Sequence, residues 1–140
     1  MKRKEILDRM GLCLPPDKQI RVVISSDVSN EADDPFAIVH QLLTPIFDVR
    51  GVIATHYEGK PRGDRRSMEN SYRMLTALMA ATGMTDVPML RGCAVPLAGE
   101  LDVPDAEGVR FLIEEAQRDD PRPLYVTVQG ALTEVAAALN

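Results

Sequence analysis

Arg21-Val-Val-Ile-Ser-Ser-Asp-Val-Ser-Asn-Glu-Ala-Asp-Asp34 changes character halfway along. Its first part, Arg21 to Ser25, is a short β-branched run suited to a strand buried on both faces. Its second part carries four carboxylates within eight residues, Asp27, Glu31, Asp33 and Asp34. From Asp34 onward Phe36, Ile38, Val39, Leu42 and Leu43 recur at helical spacing until Pro45 breaks the pattern. The stretch therefore reads as strand, acidic loop, helix. In open α/β sheets ligands bind where strands end at their carboxyl side, so the loop is the candidate functional site.

The same alternation continues outward from it. Val49 to Ala54 predicts a second strand and Val87 to Leu90 a short third one. A helix is expected from about Ser67 to Thr82, stopped by Gly83, and another from about Ala106 to Arg118. Leu124 to Val128 predicts a fourth strand, and Leu132 to Leu139 one more helix. On the amino-terminal side, residues 1–12 predict a short amphipathic helix with Ile6, Leu7 and Met10 on one side. Strands alternating with helices of this length predict an α/β fold, an open and mostly parallel Rossmann-like sheet with helices on both faces. One domain over residues 1–140 is expected, with 1–19 as an amino-terminal extension and 20–140 as the core. The chain stops inside an apolar helical pattern, which predicts a truncated domain.

Four neighbouring carboxylates need compensation. Two of them about 4 Å apart repel by about 4 kcal/mol at an effective dielectric of about 20. A hard divalent cation answers that charge, and the lack of His or Cys in the loop favours Ca²⁺ or Mg²⁺ over zinc. The competing reading is that Asp33 or Asp34 caps the helix and the other acids are solvated. Capping accounts for one or two of the four, and spacing alone leaves both readings open.

Composition narrows the function classes. A net charge of -5 argues against a nucleic-acid partner, because phosphate binding needs a concentrated basic surface. The basic stretch Lys60 to Arg66 is interrupted by Asp64 and reads as a solvated loop, although Arg62, Arg65 and Arg66 could close over a ligand. No stretch approaches the roughly 20 apolar residues of a membrane helix. The start of the chain also has no apolar segment of signal-peptide length, so a cytoplasmic location is expected. Cys13 and Cys93 match no metal spacing and read as reduced and buried or nearly so, with Cys93 inert. His40 reads as structural, while His56 follows the second strand and is expected near the mouth of the site.

Asp27-Val-Ser-Asn-Glu-Ala-Asp-Asp34 resembles the signature of the nucleoside hydrolases, the family of inosine-uridine preferring N-ribohydrolases. It is most similar to the branch with a longer loop of the form Asp-[Ile/Val]-x-Asn-[Glu/Asp]-x-Asp-Asp. Val49-Arg-Gly-Val-Ile-Ala-Thr55 resembles that family's second strand, and the helix from Asn70 its next helix. Val87-Pro-Met-Leu-Arg-Gly-Cys-Ala-Val-Pro-Leu97 resembles its Val-Pro…Gly…Pro-Leu stretch. Gly130-Ala-Leu-Thr-Glu-Val-Ala136 resembles its Gly-Pro-Leu-Thr-Asn-[Ile/Val]-Ala turn. The resemblance implies a hydrolase of N-glycosyl bonds acting on a ribonucleoside or related riboside through a Ca²⁺-bound water. Asp27 would be metal ligand and general base, Asp34 the main metal ligand, and Gln129 a ligand through its backbone carbonyl. Asp33 would bind a ribose hydroxyl, with Asn30, Glu31 and His56 as further substrate contacts.

Three departures bear on those roles. Many family members carry Asp-Thr-Asp, so their first acid falls at Ser25. The Asn of the final turn is Glu134. The family's last metal ligand and the groups that assist the leaving base come from a carboxyl-terminal part that this chain lacks. A homo-oligomer or a carboxyl-terminal partner segment is therefore expected to complete the site. The alternative function is a non-catalytic Ca²⁺-dependent sugar- or nucleoside-binding domain on the same fold. A phosphatase with an Asp-x-Asp nucleophile loop is disfavoured by Ser29, where its second acid would stand.

Overall fold

A computed structural model describes residues 1–12, 14–58 and 66–140. The elements follow in the order α1 (Arg3–Arg9), β1 (Ile20–Ser26), α2 (Asp34–Leu43), β2 (Phe47–Ala54), α3 (Ser67–Thr82), β3 (Met89–Arg91), α4 (Glu107–Ala116), β4 (Leu124–Gln129) and α5 (Thr133–Leu139). A 3₁₀ turn at Pro16–Lys18 precedes β1. The four strands form one sheet in the order β3-β2-β1-β4, with each pairing parallel. This is the expected α/β architecture.

Side-chain alternation along the two central strands divides the core into layers. Val22 and Ile24 of β1 and Val52 and Ala54 of β2 pack with Ile38 and Leu42 of α2 and Leu75 and Met79 of α3. Val23 and Ile53, one residue out of phase, face Leu112 of α4 with Phe111 and Val135 around them. The fully buried Val22, Val23 and Ile24 each contribute about 1.5–3 kcal/mol by leaving water. β1 is thus fixed on both faces and by a neighbour along each edge.

Several expected boundaries move, for local reasons. β3 begins two residues later than expected, at Met89, because Pro88 supplies no N–H to the ladder and only its carbonyl is used, accepting from Val52 N–H at 2.9 Å. α3 does stop at Gly83, which takes the left-handed conformation at φ 69°. In α1, Leu7 is buried but Met10 is exposed, and Arg3 turns inward instead. The Arg3 guanidinium donates to the carbonyls of Leu42 and Thr44, capping the end of α2, so the amino-terminal helix is tied to the core. No described helix is long and apolar enough to cross a membrane. Cys13 and residues 59–65, including Arg62 and Arg65, lie outside the described residues.

The strand order sets the position of the acidic loop. From β1 the chain winds outward through β2 to β3, then returns to place β4 on the other side of β1. The sheet therefore changes direction between β1 and β4, and the crevice outside their carboxyl ends is where open α/β sheets take ligands. Ser26 and Gln129 are cross-strand partners there, so Asp27 and Gly130 follow side by side.

Candidate active site

Asp27, Asn30, Glu31, Asp33, Asp34, Ala37, Gln129 and Gly130 line a cavity of about 450 Å³ at this crevice. The β1–β4 ladder runs into it, because the Asp27 N–H donates to the Gln129 carbonyl at 3.0 Å. A turn then folds the loop back, with the Asn30 N–H donating to the Asp27 carbonyl at 2.7 Å. The Asn30 side-chain amide donates to Asp27 Oδ2 at 3.2 Å, which fixes the carboxylate's orientation. Gly130 sits at φ 132°, and a Cβ there would lie 2.7 Å from Asp27 Cγ. Only glycine lets β4 end this close to the Asp27 carboxylate.

The two outer ends of the acidic motif meet, and the residues between them stay outside. Asp27 and Asp34 are 7% and 9% exposed, whereas Asn30, Glu31 and Asp33 are exposed along the rim. Burial, then the neighbouring Asp27 charge and a hydrogen bond between the two carboxyl groups, push the Asp34 pKa up to about 6. Asp33 and Glu31 add smaller repulsions. Two carboxyl groups that share a proton are the usual result when like charges are held together without a cation. Asp33 occupies the N-cap position of α2, but its side chain makes no capping hydrogen bond. The capping alternative therefore does not account for it. No described lysine or arginine lines the cavity.

The four carboxylates do not all converge. Among the described residues, no group of three or more His, Cys, Asp or Glu side chains is gathered closely enough to hold a metal ion. The buried donors at the crevice are instead two carboxylates with the backbone of Gln129 between the strand ends. Three side-chain oxygens in this part of the molecule are buried without a hydrogen-bond partner, Ser25 Oγ, Ser26 Oγ and Gln129 Oε1. All three lie at the carboxyl ends of β1 and β4.

His56 does not reach the mouth of the cavity, where the sequence reading set it. It is 2% exposed, and both ring nitrogens are engaged inside the protein. Nδ1 accepts the Glu58 N–H at 3.1 Å, which leaves the ring proton on Nε2 to donate to Thr133 Oγ1 at 2.8 Å. Burial lowers its pKa, so the ring is neutral and tethers the end of β2 to the start of α5. His40 is exposed on α2. Cys93 is buried, and burial followed by the nearby Glu134 charge pushes its thiol up to about 12. It is chemically quiet.

Sequence reasoning missed Glu134, noting it only as a departure from a motif. Glu134 is fully buried and accepts hydrogen bonds from Thr55 Oγ1 at 2.9 and 2.8 Å and from the Cys93 N–H at 2.7 Å. Burial raises its pKa against those donated hydrogen bonds. A Cβ at Gly92 would sit 2.2 Å from Glu134 Oε1, so glycine opens the way for this carboxyl group. Glu134 joins the ends of β2 and β3 to α5. The available signal was an acid in an otherwise apolar helix start, which is far more often a solvated first-turn residue.

No protein-family model matches the chain, and no curated protein matches it. Among solved structures, it is similar to a nucleoside hydrolase-related hypothetical protein from Saccharophagus degradans that is associated with carbohydrate metabolism. The two are 23% identical, with a TM-score of 0.55, over 86% of this chain and 33% of that one. The chain thus spans about a third of the length of the solved structure it matches. At that identity the likeness concerns the fold alone: the two share a parallel α/β architecture, in which this chain has its buried acid pair at the sheet's switch point.

Proposed function

We propose that this chain forms the metal- and sugar-binding part of a hydrolase that cleaves the N-glycosidic bond of a ribonucleoside or related riboside. The observation that carries the reading is the pair Asp27 and Asp34, buried together at the switch point with no described basic side chain in the cavity. Two carboxyl groups buried side by side, one with its pKa raised by burial and by the other's charge, suit a hard divalent ion such as Ca²⁺. Asp27, Asp34 and the Gln129 carbonyl would hold it. When bound, Ca²⁺ would supply a fixed positive charge that orients sugar hydroxyls and acidifies an adjacent water.

The remaining work falls to the chain's own residues. Asp27, whose carboxylate accepts a hydrogen bond from the Asn30 amide, would take a proton from the attacking water. Asp33, Glu31 and the outer side of Asn30 stand on the rim, within reach of the hydroxyls of a sugar entering the cavity. Water adds across the C–N bond, so that the sugar gains a hydroxyl group and the base leaves with a proton. The transition state has oxocarbenium character, and carboxylates facing the ring favour it electrostatically.

One observation favours the binding-domain alternative. Among the described residues that line the cavity there is no histidine, lysine or arginine to protonate a leaving base, and His56 is neutral and buried. The test incubates the chain with a panel of ribonucleosides, with Ca²⁺ or with chelator, and measures free base and reducing sugar. Calcium-dependent release that is lost in Asp27→Asn is the expected result. Calcium-dependent binding of ribose without release would assign the chain to the binding class, and no calcium response at all would overturn both.

A further inference from the structure

The buried polar atoms at the crevice carry the metal site one residue further, on the reading just proposed. A buried amide oxygen without a partner costs about 1–3 kcal/mol, and native structures keep few of them. Gln129 Oε1 is such an atom, and Gln129 lines the acidic cavity. Its cross-strand partner Ser26 is 1% exposed, and its Oγ is equally unpartnered. Partners in a parallel ladder point to the same face of the sheet. Ser26 follows Ile24 by two residues, so that face is the one covered by α2, whose first turn supplies Asp34. Two unpaired oxygens thus face the layer that holds the buried carboxyl pair.

The backbone of Gln129 is less free than its side chain. Its carbonyl already accepts the Asp27 N–H at 3.0 Å, which uses one of its lone pairs. The amide oxygen has both lone pairs open. Ca²⁺ takes six to eight oxygens and accepts Asn and Gln carbonyls readily, whereas two carboxylates supply four oxygens at most.

We propose that Gln129 contributes its side-chain amide oxygen to the cation held by Asp27 and Asp34, so that this residue's identity, and not only its backbone, sets calcium affinity.

Calorimetric titration of the full chain with CaCl₂ alone tests this, using wild type, Gln129→Leu, Gln129→Glu and Asp34→Asn. Gln129→Leu is expected to weaken calcium binding roughly 10- to 100-fold. Its unfolding midpoint in chelator should be unchanged or higher, because an unpartnered amide has been removed. Gln129→Glu, which keeps an oxygen at the same position, is expected to bind calcium at least as tightly as wild type. Should Gln129→Leu fail to fold, Gln129→Glu decides, since lost binding in that variant contradicts an oxygen-donor role. Wild-type affinity in Gln129→Leu alongside lost binding in Asp34→Asn would overturn the role of Gln129 and leave the metal site standing. Absence of wild-type binding up to roughly 10⁻³ M, the weak end of protein calcium sites, would overturn both together.

Discussion

Two groups of acidic side chains sit at opposite ends of the same sheet, and they are treated in opposite ways. At the amino ends of the strands, Glu115, Asp48 and Asp120 are interleaved with four arginines. Glu115 is 1% exposed and meets Arg118 at 2.6 Å, Arg50 at 3.2 Å and Arg21 at 3.7 Å. Arg122 bridges Asp48 at 2.9 Å and Asp120 at 2.7 Å. Burial pushes the Glu115 pKa upward, but hydrogen bonds from Arg50 and Arg118 outweigh it and the net shift is downward. A hydrogen bond from Arg122 likewise holds Asp120 well below the usual carboxylate range. At the carboxyl ends, Asp27 and Asp34 face each other with no such partner among the described residues that line the cavity, and the Asp34 pKa goes up to about 6. The acids at the amino ends are matched by arginines of the same chain. The other pair has no described basic side chain in its cavity, and perturbed groups in a cleft are where function is sought.

The largest expected effect lies at the amino end. Replacing Glu115 by Leu removes the carboxylate shared by Arg21, Arg50 and Arg118 and leaves Arg21, 5% exposed in its side chain, with Asp120 at 3.8 Å as its remaining counter-charge. Loss of one partner of a buried ion pair costs about 3–5 kcal/mol, to be read from urea unfolding at neutral pH. A change below about 1 kcal/mol would mean that the arginine network is only surface decoration. Next, Gly130→Ala forces a Cβ against Asp27 at a positive φ and should cost about 1–3 kcal/mol. It should also disturb the carboxyl end, while the Arg–Glu network keeps its response to acid.

The smallest effect sharpens the contrast, because its sign is reversed. In chelator at pH 7.5, Asp34→Asn should raise stability by about 1–2 kcal/mol, a figure reduced from the full shift because the cavity mouth is open. The pH dependence follows the same division. Asp34 binds its proton more tightly when folded, so its contribution favours folding below about 3.8 and is lost as pH rises through about 6. Glu115 is shifted the other way, so its contribution is present above about 4.5 and is lost as pH falls below that value. Subtracting the stability profiles of Asp34→Asn and Glu115→Gln from wild type should give curves of opposite slope. Parallel curves would erase the distinction between the two ends.

Much of this was legible in residues 21–43. A β-branched run, four acids and a helical pattern with Pro45 at its end specify strand, loop and helix through local physics alone. The helix boundary at Gly83 and the polar character of the acidic rim were legible for the same reason. Other features were not. Phe36 fits the apolar spacing of α2 yet is 78% exposed, because Asp34, Ile38, Gln41 and Leu42 occupy the inward face. A buried Gln41 there is satisfied by Thr127 Oγ1, which donates at 2.6 Å from a strand 86 residues away. His56 and Glu134 look like loop and surface residues in the sequence, and each is buried by partners more than 75 residues distant.

The sequence by itself determined the alternation of strands and helices and the concentration of negative charge after the first strand, since both depend on near neighbours. Which of those acids became a buried pair was decided by tertiary structure alone. The return of β4 to the free side of β1 set Gln129 and Gly130 against Asp27, while the packing of α2 onto the sheet brought Asp34 inward. Strand order is a long-range outcome of how whole hydrophobic faces are covered, and no local pattern encodes it.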